Sequence, residues 1–393
     1  LMLSGTSAPM STAQAVSVVV LGAGMVGSTI AIDLASHYQV TSVDISQAAL
    51  DRVKAVDPRI ATHTLNLSDA QSIKDFIQPF DLVVGAVPGF LGRSMLKAVL
   101  ESGKNIVDIS FPPEDCQSEF HALALEKGIV AVVDAGIAPG MSNLLLGYYD
   151  SRMEVKNFKC YVGGLPVART LPFQYKAPFS PIDVVEEYIR PSRILRNGEV
   201  VTLPALTESE FLDFPEIGTL EAFNTDGLRT IINTMRHIPN VLEKTLRYPG
   251  HRDLIASLIS AGFFSTTPIV VKGQTVTPLD VNAQVLLKSW KKDPEEPEFT
   301  VLRCIAQGLK DGQLVEESCD IFDRYDPMTK TSSMSRTTGY TASSIVHAFF
   351  KGLTPQKGVV ALEQIATNAG LFEHVIEYHR SKGVKVVFNS SQN

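Results

Sequence analysis

The sequence predicts an α/β fold. A doubly wound, Rossmann-type parallel sheet comes first, followed by an α+β domain with a mainly antiparallel sheet. Three observations carry this expectation. From residue 16 to about 141, short β-branched runs alternate with amphipathic stretches, the pattern of parallel strands covered by helices on both faces. A Gly-x-Gly-x-x-Gly turn follows the first run directly. Beyond Pro139-Gly140 the alternation gives way to strand-like pieces such as FKCYVGG (158–164), TVLRCIAQG (300–308) and CDIFDRYD (319–326), interspersed with a few helices, which suggests a meander-like sheet.

Taken in order, residues 1–15 have neither a basic n-region nor a long apolar core and are expected to form a disordered leader rather than a secretory signal. Strands are predicted at VSVVVLG (16–22), VTSVDI (40–45), DLVVGAV (81–87), NIVDIS (105–110) and VAVVDAG (130–136), with helices over 25–37, 47–56, 69–78, 91–102 and 114–127. Asp69 reads as the N-cap of AQSIKDFI, and Gly103 and Gly128 read as helix stops. These elements define a first domain over 16–141 and a second over 142–335. The segment 336–393, helical from Arg336 through YTASSIVHAFFKG, is long enough to return and pack on the first domain.

Composition narrows the function classes. A chain of 393 residues has room for two domains. Its net charge of −7, without an extended Lys/Arg block, argues against nucleic acid and anionic membrane surfaces as partners. No apolar run approaches the ~18 residues of a membrane-spanning helix. Cys116, Cys160, Cys304 and Cys319 lie far apart, with no CxxC or His/Cys cluster. That pattern argues against structural zinc and a disulfide framework and fits a reducing cytoplasm; no metal is expected.

The glycine turn points to a dinucleotide. Gly22 makes the tight turn, Gly24 lets the backbone approach a pyrophosphate, and Gly27 lets helix and strand pack closely. The first helical turn, with Met25 and Val26, offers free N–H groups and a partial positive charge. Asp44 ends the second strand, where a carboxylate accepts the ribose hydroxyls and repels a 2′-phosphate, so NAD is expected over NADP. Loops after later strands line such a crevice, which brings Ala86, Val87 and Pro88, then Asp108 and Ser110, toward the nicotinamide end.

Later segments carry a resemblance. DAGIAPGMSN (134–143), YVGGLPV (161–167), YKAPFSP (175–181), EYIRPSRILRNGE (187–199), LEAFNTDG (220–227), TLRYPGH (245–251) and SRTTGYTAS (335–343) together resemble the saccharopine-dehydrogenase-like family, most of all its bacterial lysine 6-dehydrogenase branch. The resemblance implies a cleft between two domains, usually a homodimer, and hydride transfer at a carbon bearing nitrogen. In that branch the reaction is NAD-dependent oxidative deamination of the lysine ε-amine, with release of ammonia. The saccharopine reductases carry Y-P-N-R-D-S where this chain has Phe223-Asn224-Thr225-Asp226-Gly227. Loss of that arginine disfavours a tricarboxylate, and an acid at Asp226 suits a cationic substrate.

From these segments Arg247 is the candidate for the substrate carboxylate, or alternatively a strand arginine in an ion pair. Tyr248 either assists it or packs. His251 is the candidate general base, since imidazole titrates near neutrality; the alternative is a core or capping histidine. Glu221, Asn224, Thr225 and Asp226 are candidates for the substrate's polar groups, with Glu221 also readable as a solvated charge. Arg336 either reaches the cleft or pairs with a nearby acid. Two further functions stay open: a reductive condensation of the saccharopine or carboxynorspermidine type, which calls for another cleft arginine among Arg169, Arg193 and Arg229, and a non-catalytic NAD-binding redox sensor.

Overall fold

A computed structural model describes residues 15–178 and 181–392; apart from Ala15, the expected leader lies outside the described residues. The first half runs β1 (Ser17–Leu21), α1 (Met25–Leu34), β2 (Gln39–Asp44), α2 (Gln47–Val56), β3 (Ala61–Thr64), α3 (Ala70–Phe76), β4 (Leu82–Gly85), α4 (Gly89–Glu101), β5 (Ile106–Asp108), α5 (Cys116–Glu126) and β6 (Val130–Val132). The strands pair in parallel in the order β3-β2-β1-β4-β5-β6. The strand order reverses at β1, so the ligand crevice is expected beyond the carboxyl ends of β1 and β4. Val18, Val19, Val20, Leu82, Val83 and Val84 are wholly buried, because helices cover both faces, and this is why these strands read as unbroken apolar runs. The edge strand β3, ATHT, is largely exposed and has no such run.

Local signals act as their chemistry dictates. The Asp69 carboxylate accepts the Gln71 amide at 3.1 Å and caps α3. Gly103 and Gly128 adopt φ of +69° and +65° just past α4 and α5, the left-handed exit that glycine allows.

The second half contains α6 (Met141–Asp150), β7 (Glu154–Pro166), α7 (Pro181–Ile189), β8 (Ser192–Arg196), β9 (Glu199–Leu203), β10 (Glu210–Phe214), β11 (Gly218–Asn224), α8 (Ile231–Thr234), β12 (Asn240–Arg247), α9 (His251–Ser260), β13 (Ile269–Val271), β14 (Gln274–Val276), α10 (Pro278–Trp290), β15 (Glu298–Lys310) and β16 (Gln313–Arg324). After these come α11 (Ser333–Phe350), β17 (Gly358–Val360), α12 (Leu362–Ile365), α13 (Leu371–Ser381) and β18 (Lys385–Gln392). The main second sheet follows the path β10-β11-β12-β7-β15-β16-β18, with the β8–β9 hairpin attached through β12. Its pairs along that path are antiparallel except β12 with β7.

The C-terminal segment does more than pack on the first domain. Helix α11 lies against α1, and β17 extends the parallel sheet beside β6. Strand β18, however, pairs with β16 from Phe322↔Lys385 to Val315↔Gln392, so the tail joins the second sheet and covers an edge that would otherwise be free. Among the described residues no helix is long and apolar enough to cross a membrane. All four cysteines are buried and unpaired.

Candidate functional site

A cleft of about 1560 Å³ separates the carboxyl ends of β1, β2 and β4 from the face of the second sheet formed by β7 and β12. On the first wall stand Gly22, Gly24, Met25, Val26, Gly27, Asp44, Ala86, Val87 and Pro88. Gly22 has φ +109°, and a β-carbon there would collide with the Ala86 carbonyl. A β-carbon on Gly27 would strike the Gly22 carbonyl. Gly24 is the N-cap of α1, with no side chain capping the helix and open space where a β-carbon would stand. Uncapped helix amides facing an open glycine cradle are what a pyrophosphate requires. The Asp44 carboxylate is held at the cleft edge by the Ala23 amide at 2.7 Å and the Ser46 amide at 2.8 Å. Arg52 of α2 lines the same end. These residues fit a dinucleotide.

Asp108 and Ser110 do not reach this cleft. The chain leaving β5 is extended, so Ile109 and Phe111 turn into the cleft, while Asp108 and Ser110 line a separate pocket of about 80 Å³. There the Ser110 amide donates to the Asp108 carboxylate at 2.9 Å, and burial pushes that carboxyl up to about 7.

The opposite wall is built by alternation along β12. Glu243, Thr245 and Arg247 line the cleft, two residues apart on one face of a strand. Lys244 points to the other face and donates to Glu210 at 2.6 Å. Asn224, its cross-strand partner, shares that far face and donates to Thr207 and Glu208 at 3.3 Å. Pairing geometry therefore removes Asn224 from the site.

Arg247 faces the cleft but is heavily committed. Its Nε donates to Tyr188 Oη at 2.9 Å, Nη1 to the Leu246 carbonyl at 2.9 Å, and Nη2 to Glu187 at 3.0 Å and to Tyr175 Oη at 3.4 Å. A guanidinium has five donors, so one remains, too few for a two-pronged carboxylate clamp. Thr245 donates to Glu187, and its oxygen lies 2.8 Å from that of Thr225. Each hydroxyl has one proton, so Thr225 donates to Thr245 and Thr245 to Glu187. Asp226 lines the cleft, yet both its oxygens are taken by Arg193, at 3.0 and 2.8 Å.

His251 is not at the cleft. It is 1% exposed, with Nδ1 2.8 Å from the Phe173 carbonyl and Nε2 2.9 Å from Tyr188 Oη. The carbonyl can only accept, so Nδ1 carries the proton and Nε2 accepts from Tyr188, which in turn accepts from Arg247 Nε. Burial, together with the Arg247 charge, holds the imidazole neutral down to about 3. It is the outer member of a hydrogen-bonded chain that runs through Tyr188 to Arg247. Tyr248 donates to the Pro166 carbonyl at 2.9 Å and lies in the core. Glu221 is buried under the start of α9, 3.4 Å from the Gly250 amide, and is not a solvated charge. Arg336 turns from the cleft to Asp323, at 2.9 and 3.2 Å, and to the Lys382 carbonyl; Met334, Ser335 and Thr338 of its helix line the cleft instead.

Arg169, Arg193 and Arg229, the candidates for a second carboxylate, also pair elsewhere. Arg169 lies over the Tyr248 ring at 4.5 Å, Arg193 holds Asp226, and Arg229 holds Asp134 at 3.4 Å. The cleft arginine that sequence reading missed is Arg190, the residue just after α7, with the Glu186 carboxylate 3.8 Å away. It was hidden inside the EYIRPS stretch, where helical phase decides which side chain faces inward. Glu187 and Glu243 were missed as well; the polar alternation Glu243-x-Thr245-x-Arg247 was the available signal.

Two family descriptions match the chain: the saccharopine dehydrogenase NADP binding domain over residues 18–132 and the saccharopine dehydrogenase C-terminal domain over residues 136–384. The NADP(+)-dependent, L-glutamate-forming saccharopine dehydrogenase of Schizosaccharomyces pombe is 22% identical over 268 residues, 64% of this chain and 59% of the relative. The mitochondrial alpha-aminoadipic semialdehyde synthase of Mus musculus is 24% identical over 267 residues, 63% of this chain and 28% of the relative. The match thus spans less than two thirds of either relative. Carboxynorspermidine synthase of Vibrio cholerae is 24% identical over 399 residues, 89% of this chain and 92% of the relative. Among solved structures, the apo histidine-tagged saccharopine dehydrogenase (L-Glu forming) from Saccharomyces cerevisiae superposes with a TM-score of 0.77 at 18% identity, covering 95% of this chain and 99% of that one; this likeness shows the fold.

Proposed function

The chain belongs to the saccharopine dehydrogenase family, and from that premise we propose that it is a nicotinamide-dependent oxidoreductase acting on the C–N bond of a cationic amino compound. The observation that carries this reading is the shared cleft: an uncapped glycine cradle on one wall and the polar face of β12 on the other. The dinucleotide, when bound, supplies the hydride acceptor or donor. The chain's own residues bind, orient and exclude water.

The reaction favoured is interconversion of a secondary amine with its amine and carbonyl components, because the relatives above are named for saccharopine and carboxynorspermidine. Lysine deamination, the reading closest to the sequence motifs, has no such support among them. A cationic substrate fits the wall chemistry. The cleft presents the carboxylates Glu186, Glu187 and Asp226, and the buried Glu243 carboxyl, against the arginines Arg190 and Arg247, a poor match for the three carboxylates of saccharopine. Arg190, with its light commitment to Glu186, anchors the substrate carboxylate, and Arg247 adds a fixed positive charge and one donor.

NAD is the preferred cofactor in this reading, since the carboxylate of Asp44 would repel a 2′-phosphate; Arg52 is the residue that opposes that preference. The test is spectrophotometric. Purified protein is assayed forward with saccharopine, carboxynorspermidine and L-lysine, each with NAD or NADP, and in reverse with a diamine plus an amino-acid semialdehyde and the reduced cofactor. Turnover of a polyamine-type substrate with NAD is expected. Dinucleotide binding without turnover of any of these would overturn the reading in favour of a sensor.

A further inference from the structure

Oxidation at a carbon bearing nitrogen starts from an ammonium, and the nitrogen must lose a proton before its lone pair can expel hydride from the neighbouring carbon. The chain therefore needs a proton acceptor on the substrate wall, and His251 is not on it. The carboxylates lining this part of the cleft are Asp134, Glu186, Glu187, Asp226 and Glu243. Asp134 is paired with Arg229, Asp226 with Arg193, and Glu187 with Arg247 and Thr245, while Glu186 lies 3.8 Å from Arg190. Among the described residues Glu243 has neither an ion-pair nor a hydrogen-bond partner, although it is 5% exposed. The backbone makes room for it: a β-carbon on Gly227 would collide with the Glu243 carboxyl.

We propose that Glu243 is the catalytic acid–base, taking a proton from the substrate nitrogen in the oxidative direction and returning it in the reductive one. This assignment rests on the C–N oxidoreductase reading. In the oxidative step one N–H proton passes to a Glu243 carboxylate oxygen. The freed lone pair forms the C=N bond as hydrogen leaves the carbon with its electron pair, so carbon is oxidised by two electrons and the nicotinamide reduced by two. Water then adds to C=N, the C–N bond breaks, and a carbonyl compound and an amine depart. Glu243 finally releases its proton to solvent.

The surroundings suit the role. Glu187 of α7, Asp226 after β11 and Asp134 after β6 all face Glu243, and Cys160 of β7 is its register partner. Arg193, Arg229 and Arg247 are each engaged by one of those acids. Burial first, then the three neighbouring carboxylates, push the Glu243 carboxyl up to about 8. It is thus protonated at neutral pH, ready to donate in the reductive direction, and ionises under mildly alkaline conditions to accept in the oxidative one.

Two measurements decide it. Difference infrared spectra of wild type against Glu243→Gln, without substrate, should show a protonated-carboxyl band that disappears as pH rises, with a midpoint near 8. With the substrate that wild type turns over, Glu243→Gln should lose roughly 10²–10⁴-fold in kcat together with the limb of the oxidative pH profile. Glu243→Asp should keep that limb at reduced rate, and dinucleotide affinity should be unchanged in both variants. Absence of the titrating band, or a Glu243→Gln enzyme that keeps both rate and limb, would overturn the assignment. Failure of wild type on every amine would instead strike the proposed reaction, so the two failures are read from different proteins.

Discussion

Gly24 and Gly27 stand three residues apart in one turn and are expected to fail in different ways. At Gly24 a side chain would enter open space in the cleft, so Gly24→Val should weaken dinucleotide binding by about tenfold or more, the equivalent of ~1.4 kcal/mol, with little change in Tm. At Gly27 the β-carbon would meet the Gly22 carbonyl, so Gly27→Ala should lower Tm as well; calorimetric titration beside thermal melts separates the two effects. Arg190 makes a third case. If it anchors the substrate carboxylate, Arg190→Ala removes a charge-assisted bond of ~1.5–3 kcal/mol, and steady-state kinetics should show KM raised about tenfold to a hundredfold with a smaller loss in kcat.

At the scale of elements, β12 and the chain behind it govern the site. The relay from Arg247 through Tyr188 to His251 ends on the Phe173 carbonyl, so His251→Leu should raise KM through a loosened Arg247. The same variant should leave the neutral-to-alkaline pH profile unchanged, because the imidazole is already neutral above about 3. Loss of a limb near neutrality in His251→Leu would return the histidine to the chemistry. The contrast with the dinucleotide wall explains what the sequence could disclose. Strands β1 and β4 are buried on both faces and the glycine turn is a local motif, so both were legible residue by residue. Which of Asn224, Glu243 or Arg247 faces the cleft depends on the register of β11 and β12, and whether an arginine is free depends on partners some sixty residues away, such as Glu187 for Arg247. Period and motif carry neither kind of information, and His251 shows it: the sequence leaves a general base and a core histidine equally open, and only the fold places it in the core.

The whole molecule is tied together by its last sixty residues. Helix α11 packs on the first domain, β17 extends the first sheet and β18 the second, so one segment grips both walls of the cleft. The crossing of this segment to the second sheet is not legible in the sequence, because an edge strand pairs with whatever edge the fold leaves open. Stability should report the buried acids. Glu243, Asp108 and Glu298 are raised by burial to about 8, 7 and 7, above the ordinary carboxyl range. The folded state therefore binds more protons than the unfolded state, and stability falls as pH rises through those values. The depressed His251 and His347 act oppositely, but only below the ordinary imidazole value of 6.5. Between pH 6.5 and 8, Tm should accordingly decline, and Glu243→Gln should flatten the decline; a Tm that rises across this window would contradict the burial argument.

In the proposed reaction hydride leaves a carbon bonded to nitrogen inside the cleft shared by the glycine cradle and β12. Single-turnover reduction of the nicotinamide, followed with substrate protiated or deuterated at that carbon, tests it most directly. Reduction should slow on deuteration of that carbon and be unaffected by deuteration elsewhere. Reduction without an isotope effect at that carbon, or saturable dinucleotide binding with no reduction at all, would contradict it.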